Sequence, residues 1–220
     1  MTATTRLPSP PPDKIETASV EHGTPRADLP DDLVLWRMSV KQYHAIAGAG
    51  IINEDEPVEL VEGLLVDKMT KNPPHTFATQ ETRIALENLL PDGWFVNIQE
   101  PITLDTSEPE LDISVIRGYR RDFRRHHPGP AATMLVVEVS NATLRTDLGA
   151  KKRIYARARI PVYWVINLIE MRIEVYTDPS GPARQPDYRT QQVFGLGDEI
   201  PVWLGDEEIG RISVQQLLPE

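Results

Sequence analysis

Two carboxylates and an ammonium stand in this sequence where such groups are costly unless they are used. Glu138 lies inside MLVVEV, the most apolar strand-like run of the chain, and shares one face with Met134 and Val136 at period two. A carboxylate on a buried strand needs a partner or a metal. Its ordinary use would be at the strand's end, reaching water or an arginine. Asp112 opens the run LDISVI after the acidic turn EPE; alone it reads as a turn former. Lys151 falls on the stripe Leu144, Leu148, Lys151, Tyr155, Ala158, spaced by four, three, four and three. A lysine there must snorkel or meet a carboxylate. Lys152, four from Leu148, is barely separated from it by periodicity. Together, two carboxylates on neighbouring strands can hold a hard divalent cation through oxygen. Such a cation polarises a phosphodiester and lowers the pKa of a bound water. A nearby ammonium can orient that water or stabilise the charge that develops. Magnesium keeps several waters and suits so sparse a site. An upstream acid, Glu59 or Glu62, can complete the shell.

The elements that must position these groups follow from pattern. Ser39 caps a short helix, SVKQYHAIAGAG. PVELVEGLLVDKM alternates around Glu62-Gly63, a hairpin signal. Pro73-Pro74 opens a helix through HTFATQETRIALENLL, stopped by Pro91-Asp92-Gly93. WFVNIQE, LDISVI and MLVVEVS read as strands. RTDLGAKKRIYARA reads as a helix capped by Thr146 or Asp147. IPVYWVIN and MRIEVYTD follow as a strand pair, then YRTQQVFG, EIPVWL and a last helix, SVQQLL. The class is α/β (α+β), a mixed β-sheet flanked by helices.

The chain has 220 residues, with 40% hydrophobic and 25% charged, enough for one domain with a real core. Residues 1–34, rich in Pro and Asp with no apolar period, are expected to be a disordered leader, and residues 35–220 the folded domain. No apolar run is long enough to span a bilayer, and no secretory signal is visible. With no cysteine, disulfides, thiolate metal sites and cysteine nucleophiles are excluded, and a reducing cytoplasm is the default compartment. The net charge of −10 runs against nucleic-acid binding, so local basic patches must carry any such role. One is RGYRRDFRRHH, residues 117–127, between the Asp112 and Glu138 strands. Arg117, Arg120, Arg121, Arg124 and Arg125 can grip phosphates there, with Tyr119 or Phe123 stacking on bases. The same run can equally be a solvated loop. His75 can cap its helix, support a neighbouring ligand or shuttle a proton. No serine-histidine-acid arrangement and no glycine-rich phosphate loop is present.

VELVEGLLV, PPH before a helix, EPELDISVI, LVVEVS and DLGAKKRIYARARIPVYWVIN occur in that order. In this combination the chain resembles the Uma-two family of bacterial endonucleases, a branch of the PD-(D/E)XK, restriction-endonuclease-like superfamily. The resemblance runs from about Met38 to the C-terminus. It implies a catalytic Asp at Asp112, a Glu at Glu138 and a Lys in the following helix at Lys151. It also implies an upstream acid at Glu62 (or Glu59) and a supporting His75. The chain departs from the family pattern at Leu111, where Pro is usual, at Arg159, where Gly is common, and at Asn167, where Asp is common. The expectation is a metal-dependent endonuclease acting on DNA with Mg2+ (or Mn2+), Glu62 among its catalytic residues, and a homodimer as a plausible assembly. The alternative is a catalytically silent module of the same fold that binds DNA or a partner.

Overall fold

The structure is a computed structural model and describes residues 34–53, 56–68 and 71–219. The expected leader over residues 1–34 lies, but for Val34, outside the described residues. Helix α1 (Val40–Gly48) begins at a capping box: Ser39 Oγ accepts from the Gln42 amide, and the Gln42 side chain accepts from the Ser39 amide. The strands β1 (Val58–Val61) and β2 (Leu64–Asp67) form the expected hairpin. Helix α2 (Pro73–Leu89) starts on Asn72, whose side chain accepts from the His75 amide, with prolines in the first turn where no N–H is needed.

The central sheet has the order β3-β4-β5-β6-β7-β8, formed by Trp94–Pro101, Glu110–Arg117, Thr133–Ser140, Val162–Asn167, Arg172–Pro179 and Tyr188–Phe194. All its pairings are antiparallel except β5 with β6, which is parallel. A parallel pair requires a crossover, and the helical segment after β5 supplies it. That segment is not the single helix expected over residues 145–158. It runs as α3 (Leu144–Thr146), a π-helical turn (Asp147–Lys151) and α4 (Lys152–Arg157), and its N-cap is Thr143 rather than Thr146 or Asp147. The wider turn buries both Asp147 and Lys151.

One face of the sheet, with Ile113, Val137, Trp164 and Ile166, packs against Ala85 and Leu86 of α2 and against a second hairpin, β9 (Glu199–Leu204) and β10 (Glu207–Ser213). Helix α5 (Val214–Leu217) closes that layer. The other face, with Val136, Tyr163 and Val165, packs against Ile154, Tyr155 and Ala156 of α4. The fold is therefore a mixed sheet flanked by helices, as expected. Strand β10 was not foreseen, because a bulge at Ile209 breaks the alternation that marks a strand.

The β1–β2 turn joins several parts of this layer. Glu62 and Gly63 both have positive φ, +48° and +78°, as a two-residue hairpin turn requires. The Gly63 N–H donates to the Thr106 carbonyl and its carbonyl accepts from the Met38 N–H. A Cβ at Gly63 would stand 2.9 Å from the Met38 carbonyl oxygen and 2.7 Å from Arg37 Cβ. Gly63→Ala should therefore destabilise the domain by about 1–3 kcal/mol in urea unfolding, and an unchanged midpoint would refute this account of the turn. The Glu62 carboxylate accepts from Arg153 at 3.0 and 2.7 Å and from Arg157 at 3.1 Å, tying the hairpin to α4. The hydrogen bonds from Arg153, with the charges of Arg153 and Arg157, hold Glu62 below its ordinary carboxylate range against partial burial. A depressed folded pKa stabilises above the unfolded value and loses that contribution as pH falls through the folded one. Glu62→Gln should thus cost roughly 1 kcal/mol near neutrality. The difference from wild type should vanish in acid, below the ordinary carboxylate range; a difference independent of pH would show that the ion pairs contribute nothing.

Candidate active site

The register of the sheet brings the two carboxylates together. Ile113 pairs with Val137 in the antiparallel β4–β5 ladder, so Asp112 and Glu138 stand one step further along adjacent strands. Both line a cavity of about 240 Å³, with Glu59 from β1, His75 from α2, and Asp147 and Lys151 from the π turn. These groups are nearly closed off from solvent: Glu138 and Asp147 are 2% exposed, Glu59 6%, Lys151 8% and Asp112 9%.

Each side chain is held. Asp112 Oδ2 accepts from the Val139 N–H at 2.9 Å and lies 3.1 Å from His75 Nε2. Burial works to raise the Asp112 pKa, but His75, the Val139 amide and Lys151 outweigh it and keep the carboxyl below its usual range. Glu138 Oε1 accepts from the Tyr155 hydroxyl at 2.6 Å and from the Lys151 ammonium at 3.1 Å. Burial drives the Glu138 carboxyl well above its usual range, with Asp147 and Asp112 adding to it and Lys151 opposing. The Lys151 ammonium also lies 3.4 Å from Glu59 Oε1. Burial alone would lower the Lys151 pKa, yet Glu138, Glu59, Asp147 and Asp112 together raise it above the ordinary lysine range. Lys151 is thus a fixed positive charge. Asp147 accepts from the Ser140 hydroxyl at 2.7 Å, and its carbonyl accepts from the Tyr163 hydroxyl.

The cluster holds four buried carboxyl groups, Glu59, Asp112, Glu138 and Asp147, around one ammonium. That excess of negative charge in a dry site is unfavourable unless protons or a cation compensate it. The donors are all oxygen, the chemistry of a hard divalent ion, and the residues present fit one. Among the described residues, no three His, Asp or Glu side chains are placed to hold a metal by themselves. The Asp112–Glu138 pair would hold it, with water and substrate oxygens completing the shell, which is how Mg2+ is commonly bound.

Several expected site residues fall elsewhere. Glu62 is not part of this cluster: it occupies the hairpin turn and pairs with Arg153 and Arg157, so the upstream acid at the cavity is Glu59. Lys151 rather than Lys152 reaches the site; Lys152 pairs with Asp187 and lies over the Tyr176 ring. The arginine run divides. Arg117 ends β4. Arg120 donates to Asn97 and lies over Phe95, and Arg121 lies over Tyr119. Arg124 and Arg125 line an open groove that shares Glu59, Lys68 and Glu110 with the cavity wall. Asp147, read from sequence only as a cap, is a cavity residue. Its spacing of four from Lys151 was the available signal, since such residues share a helix face.

A solved structure described as "a putative nuclease belonging to DUF820 from Anabaena variabilis ATCC 29413" shares this fold, with a TM-score of 0.56 at 14% identity over 82% of this chain and 97% of that one. No curated protein matches the chain. The family model described as "Putative restriction endonuclease", Uma2, matches residues 40–207. Matched over most of its length, the chain belongs to the Uma2 family.

Proposed function

We propose that this protein is a metal-dependent endonuclease that hydrolyses phosphodiester bonds in DNA at the Asp112–Glu138–Lys151 cluster. The observation that carries the reading is the burial of four carboxyl groups around one lysine in a cavity that a substrate can enter. A structural core has little reason to gather such charge, because apolar side chains fill the same space at lower cost. Family membership supports the same reading.

Asp112 and Glu138 would hold Mg2+ or Mn2+. Bound there, such an ion supplies Lewis acidity and a water acidic enough to serve as nucleophile near neutral pH. The protein's own groups do the rest. The Val139 amide and His75 fix Asp112 in one rotamer, and Tyr155 and Lys151 fix Glu138. Lys151 stays charged between Glu138 and Glu59, so it stabilises negative charge developing on the phosphoryl oxygens and does not act as a base. Glu59, the alternative to Glu62 as the upstream acid, lies beside Lys151. Their near-complete burial strengthens each of these interactions. The folded domain is taken as residues 35–220, and assembly as a homodimer would place two such sites on the two strands of a duplex.

The test is cleavage of plasmid and single-stranded DNA with manganese, with magnesium and with EDTA. Wild type should cut with metal and not with EDTA. Asp112→Asn, Glu138→Gln and Lys151→Ala should each lose about 10²–10³-fold or more in rate while remaining folded by circular dichroism. Cutting by Asp112→Asn at the wild-type rate would overturn the assignment. No cutting by folded wild type under any condition would favour the silent binding module. The upstream acid separates in the same assay. Glu59→Gln should lower the rate at least about tenfold, through loss of the charge beside Lys151, and Glu62→Gln should leave it within about twofold. The reverse order would restore Glu62 to the site.

A further inference from the structure

At the mouth of the cavity, two lysines share one carboxylate. Lys68 Nζ lies 2.6 Å from Glu110 Oε2, and Lys71 Nζ lies 3.4 Å from Glu110 Oε1. The two ammoniums thus take the two oxygens of a single planar anion. All three side chains line the cavity that holds Asp112 and Glu138, yet remain between a quarter and a third exposed. We infer that Lys68 and Lys71 form a binding site for a backbone phosphate of the nucleic acid, and that Glu110 is the internal anion competing for it. The inference rests on the nuclease reading and assigns the residues that bring a phosphodiester to that site.

Three further observations support it. The pair is cheap to open, because a partly exposed lysine–glutamate bridge contributes about 0–1 kcal/mol. Lys151, buried between Glu138 and Glu59, cannot be drawn away in the same manner. The Glu110 side chain is also free of the scaffold that its backbone makes. Its N–H donates to Glu59 Oε2 at 2.9 Å and its carbonyl lies 3.4 Å from Lys151 Nζ, so the carboxylate can swing without moving β4. Finally, the N-terminus of α2 lies beside the lysines. Asn72 and His75 line the same cavity, and no acid sits in the first turn. Asn72 caps the His75 amide, and no side-chain charge offsets the weak positive end that remains. Pro73 and Pro74 carry no N–H, so the helix contributes a field and the lysines make the contacts.

The experiment is fluorescence anisotropy of a short fluorescein-labelled single-stranded oligodeoxynucleotide in EDTA, where no cleavage intervenes, over a range of salt concentrations. The double variant Lys68→Ala/Lys71→Ala should bind about tenfold more weakly, with the slope of log K against log salt reduced by about one to two. Glu110→Gln should bind about two- to fivefold more tightly, since the competing charge is gone. Effects of opposite sign distinguish competition from a structural ion pair, which would weaken in both variants. Unchanged affinity and slope in the lysine variant, or weaker binding by Glu110→Gln, would overturn the proposal. Cleavage by wild type, assayed beside it, separates the two ideas. Cutting together with unaltered binding in the lysine variant overturns the phosphate site alone, and a wild type that neither binds nor cuts overturns both.

Discussion

The structure depends on keeping Lys151 charged among more carboxyl groups than it can neutralise. Glu138 and Glu59 lie within reach of its ammonium, and Asp112 and Asp147 stand on the same cavity wall. In water such a cluster would cost little. In this cavity the groups have lost most of their hydration, and each unpaired charge is expensive. The protein answers with fixed donors: an amide and an imidazole on Asp112, a phenol on Glu138, a hydroxyl on Asp147. These donors offset part of the cost and leave the site short of positive charge. Under the proposed function, a divalent cation held by Asp112 and Glu138 would offset that deficit.

The architecture follows from the need to deliver those groups from distant parts of the chain. Two adjacent antiparallel strands give Asp112 and Glu138 one face and neighbouring rows. Because β6 runs parallel to β5, the chain must leave the sheet after Glu138 and return, and the crossover carries Lys151 back over the strand it has just left. Within that crossover the π turn carries Asp147 and Lys151, four residues apart and both buried, on the side that faces the strands. The β1–β2 hairpin then adds Glu59 from above, held in place by the Glu62 bridge to α4. One acid of the hairpin lines the cavity and the other anchors the hairpin.

Glu138 was legible in the sequence because charge within an apolar run stands out, whereas Asp112, at a strand entry, reads alone as a turn former and was placed only by the resemblance and by its pairing with Glu138. The hairpin was legible from Glu62-Gly63, and that same signal told against Glu62 as a site residue. A residue at positive φ in a turn tip projects away from the strand, whereas Glu59 lies within it. Lys151 and Lys152, three and four residues from Leu148, both fall near one helical face, so periodicity could not separate them; the π turn carries Lys151 to the cavity. Asp147 was hidden by its own versatility: aspartate before a helical stripe reads as a cap, although Thr143 holds that position. The Lys68–Glu110 contact joins residues 42 apart, and no local pattern foretells it. The departures from the family pattern are physically mild. Arg159 has φ +61°, the conformation for which glycine is suited, so a side chain there costs some strain without touching the site. Asn167 Oδ1 accepts from the Ile169 and Glu170 amides, work that an aspartate carboxylate performs equally well.

The net charge of −10 is the feature least expected of a protein acting on nucleic acid, and ion pairing beside the cavity softens it locally. In the groove that adjoins the cavity two of the acids are paired, Glu108 with His44 and Thr103, and Glu110 with two lysines. A paired carboxylate repels a phosphate far less than a free one, since the field of an ion pair falls off within a few ångströms and salt screens the remainder. Arg124 and Arg125 face the same groove and offset the acids that remain there. Repulsion from the acidic remainder acts over longer distances and weakens as ionic strength rises, so under the proposed function it would oppose the approach of nucleic acid most at low salt. On that reading, a surface of this kind would favour short contacts with one strand at one place over the long, sequence-independent embrace that a uniformly basic face would make.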